Sequence, residues 1–425
     1  MAALLIEGKA PISGHITASG NKNAALPAIA AALLTDEPVV LHNVPDIKDV
    51  ESMLIIAEAL GVVTDRSGST VTLQASGLNC SRISRENCSR LRTSILFAAP
   101  LLARLGKAVL YPPGGDVIGR RRLDGHFYGL ETLGAKHIPE EGMYHFTTAG
   151  KLTGRELFLD EASVTATEQI MLAAATAEGT TWLYNAAGEP HICDLGNLLN
   201  AMGAKISGMG TNTIKIEGVP TLHGTEFTIS GDHIEAGSFL ALAASCGGEM
   251  TVHGIQRKHF WMTHRIFERF GINLELGDNF IHLPGGQDLK VKSDFGGAIP
   301  EISDGPWPQY PSDMMSCTVV MATQAAGTVL FFEKMFESRL YFIDRLIAMG
   351  ANAIVCDPHR AVISGPARLH GTPLASPDIR AGMALVIAAM CAHGSSTIQS
   401  SEIIYRGYEN LVEKLQSVGG RIKEI

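Results

Sequence analysis

Cationic side chains recur where buried apolar helices are predicted to begin. Lys22 lies in the segment SGNKN at 19–23, just before an Ala- and Leu-rich run, and Arg92 and Arg380 accompany the starts of two similar runs. A helix N-terminus carries free backbone N–H groups and positive dipole character, so a cation there is unfavourable unless an anion is bound nearby. These positions predict a site for a small anionic ligand. The alternative interpretation is that they are surface cations with apolar stems.

Acidic residues occupy two of the same positions. Asp313 follows Tyr310-Pro311-Ser312, and Asp378 lies two residues before Arg380. Helix N-caps are their ordinary explanation.

A second charged segment is the stretch PPGGDVIGRRRLD at 112–124. Its three glycines and two prolines predict an irregular loop, and Asp116 stands near three consecutive arginines, 120–122. Such a loop is suited to closing over a charged substrate. A nucleic-acid patch is the weaker alternative, because neither interleaved aromatic residues nor a wider basic stripe accompanies it.

The elements that would position these residues follow an internal repeat of roughly 70 residues. In each copy an apolar helical pattern ends at a glycine and a β-rich run follows, which suits a left-handed helix C-cap. The six glycines are Gly61, Gly134, Gly203, Gly271, Gly350 and Gly419.

Roughly halfway through each copy, a polar residue or proline precedes an almost wholly apolar helix. The predicted helices are 24–34, 93–104, 164–177, 234–246, 313–325 and 378–391. Helices without a polar face should be buried. We therefore predict an α/β fold of two domains, each with three repeated units, helices inside and sheets outside. An unrelated α/β protein with Gly-capped helices is the alternative.

The composition limits the class of protein. A chain of 425 residues exceeds one ordinary core, and its net charge of -9 leaves no overall basic footprint for nucleic acid. Apolar runs fall short of the roughly 20 residues of a membrane span, and the N-terminus does not resemble a signal peptide. Seven scattered cysteines without a CxxC pair predict neither zinc nor disulfides, so we expect a reducing cytoplasm.

Several segments together resemble the UDP-N-acetylglucosamine 1-carboxyvinyltransferase family of enolpyruvyl transferases. They are SGNKNAALP at 19–27, GGDVIGRRRLD at 114–124, EASVTATEQIMLAAATAEGTT at 161–181, GEPHICDLGNLLNAMGAKISG at 188–208, DHIEAGSF, YPSDMMS, FESRL and RGYENL. The resemblance covers the whole chain. It implies an inside-out α/β barrel fold with one domain at 22–230, including a mobile loop at 112–124, and a second at 1–21 plus 231–425, with the cleft between them.

The resemblance also implies the activity. The enolpyruvyl group of phosphoenolpyruvate would be added to the 3-hydroxyl of UDP-N-acetylglucosamine and phosphate then eliminated, the first committed step of peptidoglycan synthesis. The chain would thereby serve cell wall biogenesis, cell shape and cell division. It implies neither a metal nor an organic cofactor, and neither nucleic acid nor a membrane as partner. We expect a monomer or weak homo-oligomer.

Site residues are carried over by motif. The resemblance implies that Lys22, Arg121 and Arg406 hold the phosphate and that Arg339 and Arg380 hold the carboxylate, with Arg406 also able to reach the carboxylate. Asp313 would accept the hydroxyl proton and Asp116 would supply the acid for C3. The acceptor would be seated by Asn23, Arg92, Ser163, Val164, Asp313 and Phe336.

The sequence departs from the family pattern at Asp116, where most relatives have Cys. The ordinary pKa is about 3.9 for a carboxyl and about 8.5 for a thiol. Burial and substrate would raise the pKa of Asp116, whereas the arginines at 120–122 would lower it. We expect activity with this carboxyl acid and resistance to fosfomycin, which in the family alkylates the loop thiol.

Other departures concern the acceptor. Glu161 stands where the family has Lys, His233 where it has Arg, Leu96 for Trp and Thr165 for Gly. Glu161 and His233 motivate an alternative acceptor, such as a nucleotide in secondary metabolism. An EPSP synthase is less favoured, because Ser-Lys-Ser around Lys22 is missing. A non-catalytic binding protein is the remaining alternative. We interpret His126 and His191 as loop or cap residues bonded to backbone.

Overall fold

The computed structural model describes residues 2–116 and 118–425. Met1 lies outside the described residues, and so does Val117, which belongs to the predicted loop. The chain divides into two compact units. The C-terminal unit consists of Met1–Ser19, Asp116–Arg120 and Gly231–Ile425, and the N-terminal unit of Gly20–Gly115 and Arg121–Ser230.

The helices of the described residues are short to medium in length. The α-helices are α1 (Lys22–Ala32), α2 (Lys48–Ala59), α3 (Arg85–Arg90), α4 (Ala98–Leu105), α5 (Asp124–Thr132), α6 (Val164–Ala174), α7 (Pro190–Ala201), α8 (His233–Cys246), α9 (Trp261–Arg269), α10 (Ser312–Gln324), α11 (Ile343–Ala348), α12 (Ile379–Cys391) and α13 (Leu411–Ser417). The 3₁₀ helices are Arg92–Phe97, Arg257–His259, Phe295–Gly297, Arg339–Phe342 and Ser401–Arg406.

The strands of the described residues are distributed along the whole chain. They are β1 (Ala3–Glu7), β2 (Ser13–Thr17), β3 (Val39–His42), β4 (Val63–Ser67), β5 (Thr70–Gln74), β6 (Lys107–Leu110), β7 (Lys136–Glu140), β8 (Met143–Thr147), β9 (Glu156–Phe158), β10 (Thr180–Tyr184), β11 (Lys205–Ser207), β12 (Thr213–Glu217), β13 (Thr225–Thr228), β14 (Glu249–His253), β15 (Glu275–Leu276), β16 (Phe280–Leu283), β17 (Glu301–Ser303), β18 (Gly327–Phe332), β19 (Asn352–Asp357), β20 (Arg360–Gly365), β21 (Pro373–Ala375), β22 (Ser395–Gln399) and β23 (Arg421–Glu424).

Each unit has three sheets. In the N-terminal unit the strand orders are β13-β3-β5-β4, β6-β8-β7 and β11-β12-β10-β9. In the C-terminal unit they are β15-β16-β14-β2, β17-β18-β20-β19 and β21-β22-β1-β23. The start of the chain supplies β1 and β2 to this unit, where β2 runs parallel to β14 in the register Ile16 to Val252.

The helices at the centre of each unit are buried on all sides. In the C-terminal unit α8, α10 and α12 pack on one another, and every residue of α12 is buried. In the N-terminal unit α1 and α6 both contact the 3₁₀ helix at Arg92–Phe97. Because these helices expose no polar face, the sheets form the outside of each unit, as the sequence predicts.

The repeat glycines have the predicted backbone conformation. All six have φ between 78° and 103°, the left-handed region that a Gly C-cap requires. The predicted helix at 93–104 is wrong in type, because Arg92–Phe97 is 3₁₀ and α4 begins at Ala98. This start keeps Pro100, which lacks an N–H, in the first turn of α4.

The first helix begins earlier than predicted. Asn21, rather than Asn23, caps α1, and its side chain accepts hydrogen bonds from the N–H groups of Asn23 and Ala24. Lys22 is therefore the first residue of the helix. No described helix is both long enough and apolar enough to traverse a bilayer.

Candidate functional site

The N-terminal ends of α10 and α12 bring two predicted site residues, Asp313 and Arg380, together in the C-terminal unit. Asp313 lies in the first turn of α10, and Arg380 is the second residue of α12. Asp378 caps α12 by accepting hydrogen bonds from the N–H groups of Arg380 and Ala381, both at 2.9 Å. Since the buried helices pack side by side, residues distant in sequence meet at their ends.

Asp313 forms ion pairs with both arginines. Nη2 of Arg339 lies 3.1 Å from Oδ1, and Nη2 of Arg380 lies 2.8 Å from Oδ2. The two arginine side chains are only 4% and 6% exposed. We refer to Asp313, Arg339 and Arg380 as the Asp313 cluster. It combines two buried positive charges with one carboxylate.

The cluster has donors in excess of its acceptors. Among the described residues, Nε and Nη1 of Arg339 and Nη1 of Arg380 are buried without a hydrogen-bond acceptor. Buried polar atoms are normally hydrogen-bonded, and guanidinium groups match carboxylates and phosphates in geometry. The cluster is therefore equipped to bind a further anion.

The charges of both arginines are maintained. Burial alone would lower the pKa of Arg380, but Asp313 and the neighbouring Tyr408 raise it well above its ordinary value. Burial opposes the charge of Arg339 in the same way, and Asp313 is the first of the charges that raise its pKa. The guanidinium of Arg339 also lies 5.1 Å from the ring centre of Phe336. Phe336, which is predicted to bind the acceptor substrate, therefore packs against the cluster.

Asp116 and Arg406 form a second ion pair in the same unit. Nη1 of Arg406 lies 2.6 Å from Oδ1 of Asp116, and both side chains are about four-fifths buried, at 21% and 19% exposed. Burial raises the pKa of Asp378, and the charge of Asp116 raises it further. The carboxylate of Asp116 therefore acts electrostatically on the N-cap residue of α12.

The segment after Asp116 is held by Glu337 and Ser338. The N–H of Arg120 donates to Oε2 of Glu337 at 3.0 Å, and the N–H of Ser338 donates to the carbonyl of Ile118 at 3.1 Å. Gly119 has φ of 135°, and a Cβ there would lie 2.2 Å from Oε2 of Glu337. Glycine is favoured here because L residues with side chains rarely adopt this positive φ.

The N-terminal unit holds the remaining predicted residues. Nζ of Lys22 lies 2.8 Å from Oδ2 of Asp49, an ion pair that is largely buried. Ser163 caps α6 by accepting from the N–H of Ala166 at 3.4 Å, and Val164 is the first residue of that helix. Asn23 follows Lys22 in the first turn of α1.

Arg92 binds the C-terminal part of the predicted loop. Its Nη1 and Nη2 donate to the carbonyl oxygens of Arg121 and Arg122 at 2.8 and 2.7 Å. Burial, and after it the charge of Arg121, lower the pKa of Arg92 to about 10. Arg122 points elsewhere and forms an exposed pair with Asp124.

A cavity of about 660 Å³ lies beside Arg92 and Arg121. Its walls are partly aromatic, and the remaining lining residues are Pro112, Pro113, Leu123, Asp124, Phe127, Tyr128, Glu131, His137 and Tyr144. A cavity that combines guanidinium groups with aromatic surface suits an organic anion with a flat ring.

The residues that depart from the family pattern are divided between the two units. Thr165 contacts Nε2 of His126 at 3.0 Å, and Glu161 exerts its charge on Arg92. His233 is buried near His259 and Trp307, with ring centres 5.7 and 6.0 Å away. Leu96 is fully buried.

The interpretation of His126 and His191 as loop or cap residues is wrong. His126 lies inside α5 and is bonded to the side chains of Gln169 and Thr165, and His191 lies inside α7. Both residues belong to the helices that end before the repeat glycines Gly134 and Gly203.

Sequence reasoning missed three carboxyl groups. Asp49 pairs with Lys22, while Glu333 and Asp304 lie behind Arg339. Asp49 carries no distinguishing signal, since an acid in the first turn of a helix is ordinary. Within the described residues, no group of three or more His, Cys, Asp or Glu side chains is arranged to hold a metal ion.

Comparisons with known proteins place the chain among carboxyvinyl transferases. A family model described as EPSP synthase (3-phosphoshikimate 1-carboxyvinyltransferase) matches residues 6–415. The UDP-N-acetylglucosamine 1-carboxyvinyltransferase of Treponema pallidum (strain Nichols) is 52% identical over 99% of this chain and 99% of its own length. The enzyme of that name from Borreliella burgdorferi (strain ATCC 35210 / DSM 4680 / CIP 102532 / B31) is 50% identical over 100% and 99%.

Solved structures share the fold. The enolpyruvyl transferase NikO from Streptomyces tendae is similar with a TM-score of 0.88 and 24% identity, over 100% of this chain and 98% of its own. An EPSP synthase from Acinetobacter baumannii is similar with a TM-score of 0.76 and 18% identity, over 100% of both chains. The predicted inside-out α/β fold is confirmed.

Proposed function

Because this chain belongs to the EPSP synthase family of enolpyruvyl transferases, we propose that it transfers the enolpyruvyl group of phosphoenolpyruvate to the 3-hydroxyl of UDP-N-acetylglucosamine and releases phosphate. The relatives of that activity match it over the full length at about half identity. The observation that carries the proposal is the Asp313 cluster, whose buried arginines have donors to spare. We place the reaction in the cytoplasm, as the first committed step of peptidoglycan synthesis.

Phosphoenolpyruvate offers two anionic groups to this site. Its carboxylate takes the spare donors of Arg339 and Arg380, because guanidinium groups bind carboxylates in a fork geometry. Its phosphate is assigned to Lys22, Arg121 and Arg406. Arg406 is already paired with Asp116, so the donor substrate would bind beside the acid.

The addition step needs a base and an acid. Asp313 accepts the proton of the acceptor hydroxyl as its oxygen bonds to C2, and Asp116 supplies a proton to C3. Elimination then removes a proton from C3 and breaks the C2–O bond to phosphate. Atoms balance, since the carboxyvinyl ether and phosphate are the two products.

The acceptor is assigned to the N-terminal unit and Phe336. Arg92 and the cavity beside it have the charge and the aromatic surface for a nucleotide diphosphate. Asn23, Ser163 and Val164 lie at the starts of α1 and α6, where the positive end of the helix dipole favours anionic or carbonyl oxygens. The enzyme is proposed to act as a monomer or weak homo-oligomer.

Resistance to fosfomycin follows from the same proposal. A carboxylate is a far weaker nucleophile towards an epoxide than a thiolate, and Asp116 replaces the thiol of most relatives. Wild-type activity should survive incubation with the drug.

The decisive experiment is phosphate release from phosphoenolpyruvate with defined acceptors. Release with UDP-N-acetylglucosamine supports the proposal. Silence there with release on UMP would favour the nucleotide acceptor, and release on shikimate 3-phosphate would favour an EPSP synthase. Binding of phosphoenolpyruvate without release on any acceptor would identify a binding protein.

A further inference from the structure

Two buried carboxyl groups lie side by side at the ends of β17 and β18. These strands are parallel in the register Ser303 to Phe332, so the next residues, Asp304 and Glu333, are also neighbours. Both residues are 0% exposed. Two carboxyl groups that are neighbours in a buried site are accommodated when one of them keeps its proton.

The other contacts of the pair supply no such proton. Oδ1 of Asp304 accepts from the N–H of Lys334 at 2.5 Å, whereas Oδ2 has no donor among the remaining described residues. Nε of Arg339 lies 3.9 Å from Oε2 of Glu333, which is too far for a hydrogen bond. Two ionised carboxylates in this position would repel each other, so one retained proton accounts for the arrangement.

Glu333 connects the two arms of the Asp313 cluster. The hydroxyl of Ser312 donates to Oε1 at 2.8 Å and is also 3.0 Å from Oε2, and the N–H of Phe336 donates to Oε1 at 3.2 Å. Ser312 directly precedes Asp313, and Phe336 lies three residues before Arg339. One side chain thus fixes the start of α10 to the segment that carries Arg339.

The charge of this carboxyl matters to Arg339. The charged or titratable groups around Glu333 are Asp304, Asp313, Arg339, Lys334 on the adjacent backbone, and His359, whose Nδ1 lies 2.6 Å from the Glu333 carbonyl. Burial, together with the neighbouring carboxylate of Asp304, raises the pKa of Glu333 well above its ordinary value. When Glu333 is neutral, the positive charge of Arg339 is balanced by Asp313 and by a bound anion.

We propose that Asp304 and Glu333 are positioning residues that share one proton, hold Asp313 and Arg339 in place, and keep the charge of Arg339 available for the carboxylate of phosphoenolpyruvate. The second half of this inference rests on the proposed function. The inference predicts that alkaline pH weakens phosphoenolpyruvate binding, because the shared proton is then removed.

The shared proton can be measured without any activity. Infrared spectra of the wild-type protein are compared with those of Glu333→Gln and Asp304→Asn in the region of protonated carboxyl stretching. We expect a wild-type band that persists at neutral pH, is lost in both variants and disappears at alkaline pH. A wild-type spectrum at neutral pH without a band sensitive to both substitutions would overturn the shared proton.

Kinetics test the positioning role. For the wild type we expect KM for phosphoenolpyruvate to rise at alkaline pH, and for Glu333→Gln this rise should be absent because an amide cannot lose the proton. Glu333→Ala should raise that KM about tenfold, with a smaller change in kcat. Glu301→Gln, on the exposed end of β17, is the matched control and should retain the wild-type pH profile.

The outcomes separate this inference from the proposed function. An unchanged alkaline rise in Glu333→Gln, or a loss of kcat without a change in KM, would contradict the positioning role. Absence of phosphate release by the wild type with every acceptor would sink the proposed function and the assignment to phosphoenolpyruvate. In that case the infrared band alone still decides whether the proton is shared.

Discussion

Nε and Nη2 of Arg380 both point at one oxygen of Asp313, Oδ2, at 3.0 and 2.8 Å. The two residues are 67 positions apart in sequence and meet because α10 and α12 lie side by side. The proposed base is therefore held by a residue that is also proposed to bind the donor carboxylate. Base position and donor binding cannot be varied independently.

Replacing Arg380 tests the fork geometry. Arg380→Lys keeps the charge but cannot place two donors on Oδ2 while offering a third to the substrate, so kcat/KM for phosphoenolpyruvate should fall about 100-fold or more. Steady-state phosphate release measures this. Arg360→Lys, at an exposed pair with Asp357, is the matched control. Equal losses in the two variants would argue against a specific role.

Asp313→Asn should abolish proton acceptance while preserving shape. We expect kcat to fall by roughly 100- to 10,000-fold, the usual contribution of a general base. Because two buried arginines lose their counter-charge, unfolding should also occur at a lower temperature. Retention of phosphoenolpyruvate binding by equilibrium dialysis would separate lost chemistry from lost folding. A kcat within a few-fold of wild type would exclude Asp313 as the base.

Asp116→Cys should convert the enzyme to a drug-sensitive form. The thiol restores the nucleophile of most relatives, so fosfomycin should inactivate this variant in a time-dependent manner while the wild type stays active. Mass spectrometry should find one adduct, at position 116. The wild type already contains the exposed Cys356, so it controls for alkylation elsewhere. Rapid inactivation of the wild type would refute the assigned resistance.

Acid should destabilise the protein partly through His126. Burial lowers the pKa of His126 to about 4, whereas the unfolded chain binds the proton near the ordinary pKa of about 6.5. The stabilisation is complete above the unfolded pKa and is lost as pH falls through the folded one, a contribution of up to roughly 3 kcal/mol.

Urea denaturation at a series of pH values measures this contribution. In His126→Gln the free energy of unfolding should fall less steeply between neutral and acid pH than in the wild type. His223→Gln, at an exposed position, should keep the wild-type slope. The buried His233 and His259 contribute in the same direction, so some slope remains. Parallel curves for His126→Gln and wild type would contradict the assignment.

Local sequence determined the repeat and the glycines at which its helices end. Gly61 and its five counterparts adopt the left-handed conformation because only glycine does so without steric cost. Such positions can therefore be recognised from the sequence alone. The apolar helices were legible for a similar reason, since a helix without a polar face must be buried. The family motifs likewise lie in continuous segments.

Tertiary structure decided which side chains meet. The pairing of Asp313 with Arg339 and Arg380 depends on how α10 and α12 pack, and the Asp304–Glu333 contact depends on the register of two parallel strands. His126 became a buried helix residue because α6 covers it. Charges and protonation states at such contacts arise from burial and neighbours distant in the chain, so no local pattern could encode them.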